Sequence, residues 1–156
     1  MQRRGLHLDT SMLHGRGLIA GVVEGWPIQI LHTPGEIEGA TTLYLGYDSG
    51  EPVDVLEVKW TISGKRRVRG DDGLLDRAPL PELLDHPRFA SVSTRSFQVP
   101  PGFPSRKRRA VRVSCVDFVD NEALLDLMIE GGVTLCDALR DRYSITPATN
   151  EGRSSL

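Results

Sequence analysis

Hydrophobic and polar residues alternate along four stretches of the chain, which is typical of half-buried β-strands. These stretches are residues 27–32, 41–48, 53–60 and 110–118. The polar segment DSGEP separates the second stretch from the third, so the two are predicted to form an antiparallel hairpin. Side chains at every second position share a face of a strand. Glu57 and Lys59 are therefore expected on one face.

Helical spacing of apolar residues is found near both ends of the sequence. Residues 11–25 predict a short helix that Trp26-Pro27 ends. Further along, Asp120 is placed to cap a helix that runs to residues 128–130 and stops at Gly131-Gly132. Thr134 is then placed to cap a second helix. Together the elements predict an α+β fold, a small antiparallel sheet with a few short helices.

The 156 residues suffice for one domain or two very small ones. Residues 1–77 are expected to form a helix on an antiparallel hairpin sheet, within which SGKRRVRGDDG is a further hairpin or a flexible turn. Residues 78–105 are rich in proline and are interpreted as a linker or long loop, with one helical turn in PLPELLDHPRF. Residues 106–145 predict a strand and two helices, either a separate unit or part of one single domain. Residues 146–156 are expected to be a tail.

The sequence has neither a long apolar run nor a secretory signal, so we expect a cytoplasmic bacterial protein without membrane contact. Cys115 and Cys136 do not form a CxxC pair and are interpreted as small buried hydrophobic residues. The four histidines are scattered and none lies four residues from another. We therefore expect no metal cluster and no resident cofactor.

Charge is unevenly distributed along the chain. Residues 64–112 have 12 basic and 5 acidic side chains, a net charge of +7, whereas the flanking segments 1–63 and 113–156 are net negative at −4 and −5. Such a basic middle segment is suited to bind polyanions, or to neutralise its own acidic flanks. Both interpretations stay open at this point.

The phrase Glu57-Val-Lys59 resembles the second half of the PD-(D/E)xK nuclease signature. The resemblance implies that Glu57 holds Mg²⁺ and that Lys59 stabilises charge on a phosphate. The family also needs an aspartate about a dozen residues upstream, where this chain has residues 43–45 without a carboxylate. The alternative interpretation is a solvated ion pair on a strand.

A longer stretch, residues 9–58, resembles small bacterial toxins of the BrnT-like type, which are related to the RelE fold. The matching motifs are His14-Gly15, Pro27-Ile28, Leu45-Gly46-Tyr47-Asp48 and Leu56-Glu57-Val58. The resemblance implies a metal-free ribonuclease fold with a basic face on RNA and a cognate antitoxin as partner. Such enzymes use His, Lys or Arg to activate the 2′-hydroxyl group and to stabilise the phosphorane.

This chain departs from the toxins after Lys59, where their strand rich in His and Arg is replaced by GKRRVRG. The candidate catalytic residues are Lys59, Arg66 and Arg67, together with Glu57. Lys65 and Arg69 are candidate RNA-binding residues. The alternative interpretation of these residues is a solvated basic turn.

Residues 106–143 resemble a ribbon-helix-helix repressor, with a strand, a helix, a Gly-Gly-x-Thr turn and a second helix. The resemblance implies a homodimer whose paired strands enter the DNA major groove. Arg112 and Ser114 would then contact bases, and a basic run would hold phosphates. That run consists of Arg106, Lys107, Arg108 and Arg109. Alternatively, this segment completes the same core as the rest of the chain.

The leading hypothesis is a toxin–antitoxin-type protein directed at nucleic acid, with a ribonuclease-like fold and an incomplete catalytic set. One alternative is a non-enzymatic dimeric DNA-binding regulator that uses residues 106–140. A second is a Mg²⁺-dependent nuclease built on Glu57 and Lys59, which an acidic residue beside Glu57 would favour. A third is an interaction domain whose basic middle segment binds an acidic protein partner.

Overall fold

A computed structural model describes residues 19–33, 39–49, 53–60, 64–94, 109–116, 119 and 121–148. The strands are β1 Ile19–Val23, β2 Trp26–Thr33, β3 Ala40–Asp48, β4 Leu56–Trp60, β5 Arg66–Gly70, β6 Phe89–Ser93, β7 Ala110–Val116 and β8 Thr146–Pro147. The helices are a 3-10 helix at Asp72–Asp76, α1 at Leu80–Leu84 and α2 at Glu122–Tyr143. Neither α-helix has the length and apolarity needed to cross a membrane.

All the described strands join one antiparallel sheet in the order β1-β2-β3-β7-β6-β4-β5, with β8 pairing the end of β3. The α+β prediction, a small antiparallel sheet with helices, is confirmed. The sheet is continuous across the three segments that the sequence separates, and a single hydrophobic core also draws on all three. β7 and α2 thus share this sheet and this core with the earlier strands.

The core lies on one face of the sheet, beneath α2. A Cβ atom added to Gly132 would stand 2.5 Å from Leu45 Cδ1 and 3.3 Å from Leu43 Cδ2. A Cβ atom on Gly131 would stand 2.9 Å from Leu83 Cδ2 of α1. The paired glycines thus let α2 approach both the sheet and α1 closely. We call this side of the sheet the helix face.

The predicted helix at residues 11–25 is wrong over its described part, because residues 19–23 form strand β1. Val23 pairs with Trp26 across a two-residue turn, in which Glu24 and Gly25 have φ angles of 47° and 86°. Positive φ at both positions is typical of the tight turns that join hairpin strands. The apolar residues that suggested a helix face therefore belong to a hairpin with β2.

The strand predictions for residues 27–32 and 41–48 are confirmed, but their predicted pairing is not. β3 lies between β2 and β7, and β4 lies between β5 and β6. β3 is buried along most of both faces, which suits an interior strand and not a hairpin at an edge. β4 instead forms a hairpin with β5, one of the two structures expected for SGKRRVRGDDG.

Residues 78–105 were predicted to be a linker or long loop, with one helical turn. The turn is confirmed as α1, but Phe89–Ser93 forms β6 in the interior of the sheet. Phe89 and Val92 are buried against the core, which explains why this proline-flanked stretch is ordered as a strand. Residues 95–105 lie outside the described residues.

The two helices predicted for the C-terminal segment are one continuous helix, α2. Asn121, and not Asp120, caps it, since its Oδ1 accepts hydrogen bonds from the backbone N–H groups of Ala123 and Leu124 at 2.9 and 3.2 Å. Gly131-Gly132 does not end the helix, because packing against the core outweighs the weak helical propensity of glycine. The predicted tail pairs with β3 through Thr146–Pro147, and residues 149–156 lie outside the described residues.

Candidate nucleic-acid interface

The side of the sheet opposite the helix face has mainly polar side chains. Strand register places its residues in two rows that run across the sheet. The polar members of the first row are Gln29, Tyr44, Arg112, Ser93, Glu57 and Arg69, and those of the second are Thr42, Ser114, Ser91, Lys59 and Arg67. The second row also extends to an apolar residue, Leu31 of β2, opposite Thr42. We call the eleven polar residues the polar face. Both described α-helices pack on the helix face, so neither of them covers it.

Four cationic residues and one carboxylate lie in the half of the polar face between β7 and β5. Lys59 has half of its side chain exposed, and its Nζ atom lies 3.9 Å from Glu57 Oε1. Arg67 and Arg69 are exposed on the edge strand, and Arg112 is half-buried. Four cations against one carboxylate make this half of the sheet electropositive.

The small residues of β6 form the floor between these charges. Ser93 lies between Arg112 and Glu57, and Ser91 lies between Ser114 and Lys59. Adjacent strands are about 4.8 Å apart, so the longer side chains on β7 and β4 stand roughly 10 Å apart at their backbones. Charged side chains therefore flank the short side chains of β6 on both sides, with Ser91 partly exposed and Ser93 buried.

The inner half of the polar face is more buried. Thr42 and Ser114 are directly opposite each other, and their hydroxyl oxygens are 3.1 Å apart in a hydrogen bond. Burial raises the pKa of the Tyr44 hydroxyl, an effect that the nearby Arg112 guanidinium partly offsets. Tyr44 is therefore neutral at physiological pH, with an aromatic ring beside a cation.

Six of the residues that the sequence proposed for catalysis or binding lie on the polar face. They are Glu57, Lys59, Arg67, Arg69, Arg112 and Ser114. Their convergence depends on the placement of β6, which puts β4 and β7 two strands apart. Sequence separation alone does not bring residues 57–69 and 112–114 together.

Other proposed residues lie elsewhere. Arg66 is on the helix face, where its Nη1 atom donates a hydrogen bond to Asp85 Oδ1 at 3.2 Å. Arg109 donates to the backbone carbonyl of Ser49 at 2.6 Å, so its guanidinium joins β7 to the end of β3. Lys65 is exposed in the turn between β4 and β5. Arg106, Lys107 and Arg108 lie outside the described residues.

Sequence reasoning did not single out the remaining members of the polar face. Ser91 and Ser93 were assigned to a loop, although the alternation in Phe89–Ser93 was the available signal for a strand. Tyr44 was placed correctly on a strand, but its neighbour Arg112 is 68 residues away and pairs with it only through tertiary contacts.

The surroundings of Glu57 differ from those of the metal nuclease that was considered as an alternative. Directly beside Glu57 on the adjoining strands are Arg69 and Ser93, neither of which is acidic. Within the ranges described above, no three His, Cys, Asp or Glu side chains are grouped to hold a metal ion. The second carboxylate that would favour that alternative is therefore not contributed by β5 or β6 opposite Glu57.

The position of β7 also bears on the ribbon-helix-helix alternative. A ribbon of two chains needs a strand with an open edge. β7 has β3 on one side and β6 on the other, and Ser114 on it is buried. Arg112 and Ser114 are thus interior positions of a wide sheet, unlike the outward residues of a two-stranded ribbon.

A buried hydrogen-bond cluster holds the first residues of β4 in place. Thr94 Oγ1 accepts from the backbone N–H groups of Val55 and Leu56 at 3.2 and 3.1 Å, and it donates to the carbonyl of Leu56 at 3.3 Å. The Tyr47 hydroxyl donates to the Thr94 carbonyl at 3.0 Å, and burial raises the pKa of Tyr47 to about 12. These contacts position Glu57, the next residue of β4.

Comparisons with known proteins give no relative from which to assign the site. No protein-family model, no curated protein and no solved structure matches the chain. The arrangement of side chains on the polar face is therefore the basis for the function proposed next.

Proposed function

We propose that this protein is directed at RNA and binds single-stranded RNA on the polar face of its sheet. The observation that carries the proposal is the convergence of Lys59, Arg67, Arg69 and Arg112 on one face of the sheet, where the first three are exposed and Arg112 is half-buried. Cationic side chains that neutralise phosphates supply most of the non-specific affinity for nucleic acid. The spacing of these cations across three strands suits a flexible backbone that crosses the sheet.

Single strands fit this face better than duplex DNA does. Base readout in duplex DNA usually requires a helix or a two-stranded ribbon that enters a groove, and the polar face is part of a wide sheet. Single-stranded RNA instead exposes bases that stack on aromatic side chains, for which Tyr44 beside Arg112 is a candidate. The hydroxyl group of Ser91, which is partly exposed, is suited to contact a 2′-hydroxyl group of RNA.

A second candidate function is metal-independent RNA cleavage on the same face, as the leading interpretation of the sequence proposes. The observation that favours it is the carboxylate of Glu57, which lies 3.9 Å from Lys59 Nζ and opposite Arg69. A carboxylate on a phosphate-binding face repels phosphate, so a role in chemistry accounts for Glu57 better than a role in binding does. Glu57 would accept the proton of a 2′-hydroxyl group, whose oxygen attacks the adjacent phosphorus, and the neighbouring cations would stabilise the phosphorane. The P–O5′ bond then breaks, leaving a 2′,3′-cyclic phosphate, and the 5′-oxygen takes a proton from solvent.

The binding proposal is tested by measuring the affinity of the whole chain for labelled single-stranded RNA, single-stranded DNA and duplex DNA across a salt series. Replacing both Arg67 and Arg69 with Ala should weaken RNA binding by about tenfold and lower the salt slope by about 1.4, since each contact with a single-strand phosphate contributes roughly 0.7. Arg66→Ala is the matched control, because Arg66 is on the same strand and faces the opposite side. An equal loss with Arg66→Ala would contradict the polar face as the binding site.

Cleavage is followed in the same samples, with EDTA and with Mg²⁺, in the wild type and in Glu57→Gln. RNA cut in EDTA by the wild type but not by Glu57→Gln would support the second candidate. Tighter RNA binding by Glu57→Gln, without cutting by either protein, would support binding alone because the variant removes a negative charge from the face. Cutting that requires Mg²⁺ would contradict the metal-independent mechanism.

A further inference from the structure

A cleft opens on the helix face below the edge strand β5, away from the polar face. Its volume is about 350 Å³. It is lined by Arg66, Val68, Asp72, Leu75, Asp76, Pro81, Leu84 and Asp85, which come from β5, the 3-10 helix and α1. We call it the β5 cleft.

The β5 cleft combines an apolar floor with an acidic rim. Val68, Leu75, Leu84 and Pro81 supply the apolar side chains, and 39% of Val68 is exposed to solvent. Asp85 is already bound to Arg66 at 3.2 Å. Within the described part of the chain, Asp72 and Asp76 have no ion-pair partner. Lys and Arg have the complementary shape, because their aliphatic stems cover apolar surface while their charged ends reach outward.

The edge of β5 lies next to this cleft. β5 pairs with β4 on one side, and among the described strands it has no neighbour on the other. Half of the backbone N–H and C=O groups of an edge strand point away from the sheet, where they are able to pair with an added strand. Side chains of an added strand would alternate between the helix face and the polar face.

We propose that β5 and the β5 cleft dock an extended segment of a partner protein in which basic and acidic residues alternate. The basic side chains enter the β5 cleft beside Asp72 and Asp76. The acidic side chains lie on the other face of the sheet, beside Arg67 and Arg69. Because the two faces of β5 carry opposite charges, they favour a partner strand in which every second residue is basic and the residues between are acidic. The proposal shares Arg67 and Arg69 with the proposed RNA-binding face, but it rests on the edge of β5, which no other described strand pairs, and on the β5 cleft, neither of which the RNA-binding proposal uses.

The test uses two blocked, fluorescently labelled peptides of about ten residues, a length typical of a long strand. In the first, Lys and Glu alternate; the second has the same composition arranged as Lys-Lys-Glu-Glu, which puts both charges on each face. The alternating peptide should bind the whole chain at least about fivefold more tightly at roughly physiological ionic strength. On binding, those amide hydrogens of Arg66–Gly70 that point away from β4 should become protected from exchange with solvent.

Variants separate the β5 cleft from general electrostatic attraction. Replacing Asp72 and Asp76 with Asn should weaken binding of the alternating peptide about fivefold, in line with the small energies of exposed ion pairs. Glu82→Gln is the matched control, because Glu82 is an exposed carboxylate on α1 that does not line the β5 cleft. The Glu82→Gln variant should bind the alternating peptide with the same affinity as the wild type.

Three outcomes would overturn the proposal. The first is equal affinity for the two peptides, and the second is equal weakening by the aspartate variants and by Glu82→Gln. The third is binding without protection of the β5 amides, which would show that a cation occupies the β5 cleft without strand pairing. Because the readouts involve peptide and not RNA, their failure is distinguishable from failure of the proposed function.

Discussion

At the scale of single residues, Thr94 determines how β4 begins. It follows β6 directly, it is fully buried, and its hydroxyl group contacts two backbone N–H groups and one carbonyl at the start of β4. A buried N–H group without an acceptor costs about 1–3 kcal/mol. One hydroxyl group therefore connects the floor of the polar face to the strand that contains Glu57 and Lys59.

Replacing Thr94 with Val should lower the free energy of unfolding by about 1–3 kcal/mol, because the isosteric side chain leaves the buried N–H group of Leu56 and the part-buried N–H group of Val55 without that acceptor. Urea unfolding measures the change. Thr94→Ser is the control, since it keeps the hydroxyl group and should cost less than Thr94→Val. Equal losses in the two variants would show that the methyl group, and not the hydrogen bonds, is responsible.

At the scale of elements, α2 is the helix that covers the centre of the sheet. Trp26 Nε1 of β2 donates to Asp137 Oδ1 of α2 at 3.1 Å, and the Arg140 guanidinium lies 5.8 Å from the Trp26 ring centre. Gly131 and Gly132 allow the same helix to contact α1 and the middle strands. The position of α2 thus depends on small residues at mid-helix and on a polar anchor near its C-terminal end.

Replacing Gly132 with Val should destabilise the protein by at least about 2 kcal/mol, because the added atoms would overlap Leu45 and Leu43 in the packed core. The change is measured by chemical unfolding monitored through helical circular dichroism. Ala123→Val, at an exposed position in the first turn of α2, reports the intrinsic cost of Val in the helix. A loss no larger than that of Ala123→Val would contradict the close contact at Gly132.

At the scale of the whole molecule, chain order and spatial order differ. β7 comes late in the sequence but lies between β3 and β6. α2, which follows it, covers the core formed by earlier strands. The N-terminal and C-terminal segments therefore form one sheet and one core together, and the charged side chains on either side of β6 come from both.

A variant that ends at Gly102 should not fold, because it removes β7 from the interior of the sheet and α2 from the core. The free energy of unfolding of a protein is only about 5–15 kcal/mol. The deletion removes more stabilisation than that, because it exposes the apolar surface that β7 and α2 bury in the core. Dispersed amide signals in a proton–nitrogen spectrum of the variant would contradict this expectation. The full chain measured under the same conditions is the control.

The sequence by itself determined the local character of several elements. Alternation identified β2, β3, β4 and β7, and it placed Glu57 and Lys59 on one face, because side-chain direction in a strand has a period of two residues. The same reasoning failed at residues 19–23, where apolar residues beside glycine fit either a helix or a hairpin. It also failed at Gly131-Gly132, where tertiary packing outweighs helix propensity.

Only the tertiary structure decided which strands are neighbours. The alternation of hydrophobic and polar residues indicates which residues share a face of one strand. It contains no information on which strands are neighbours in the sheet. The placement of β6 between β4 and β7 brings Arg112 and Ser114 onto the same face as Glu57 and Lys59. The pairing of β5 with β4 puts Arg67 on that face and its neighbour Arg66 on the helix face. The polar face and the β5 cleft are therefore products of strand order, which long-range burial of the core selects.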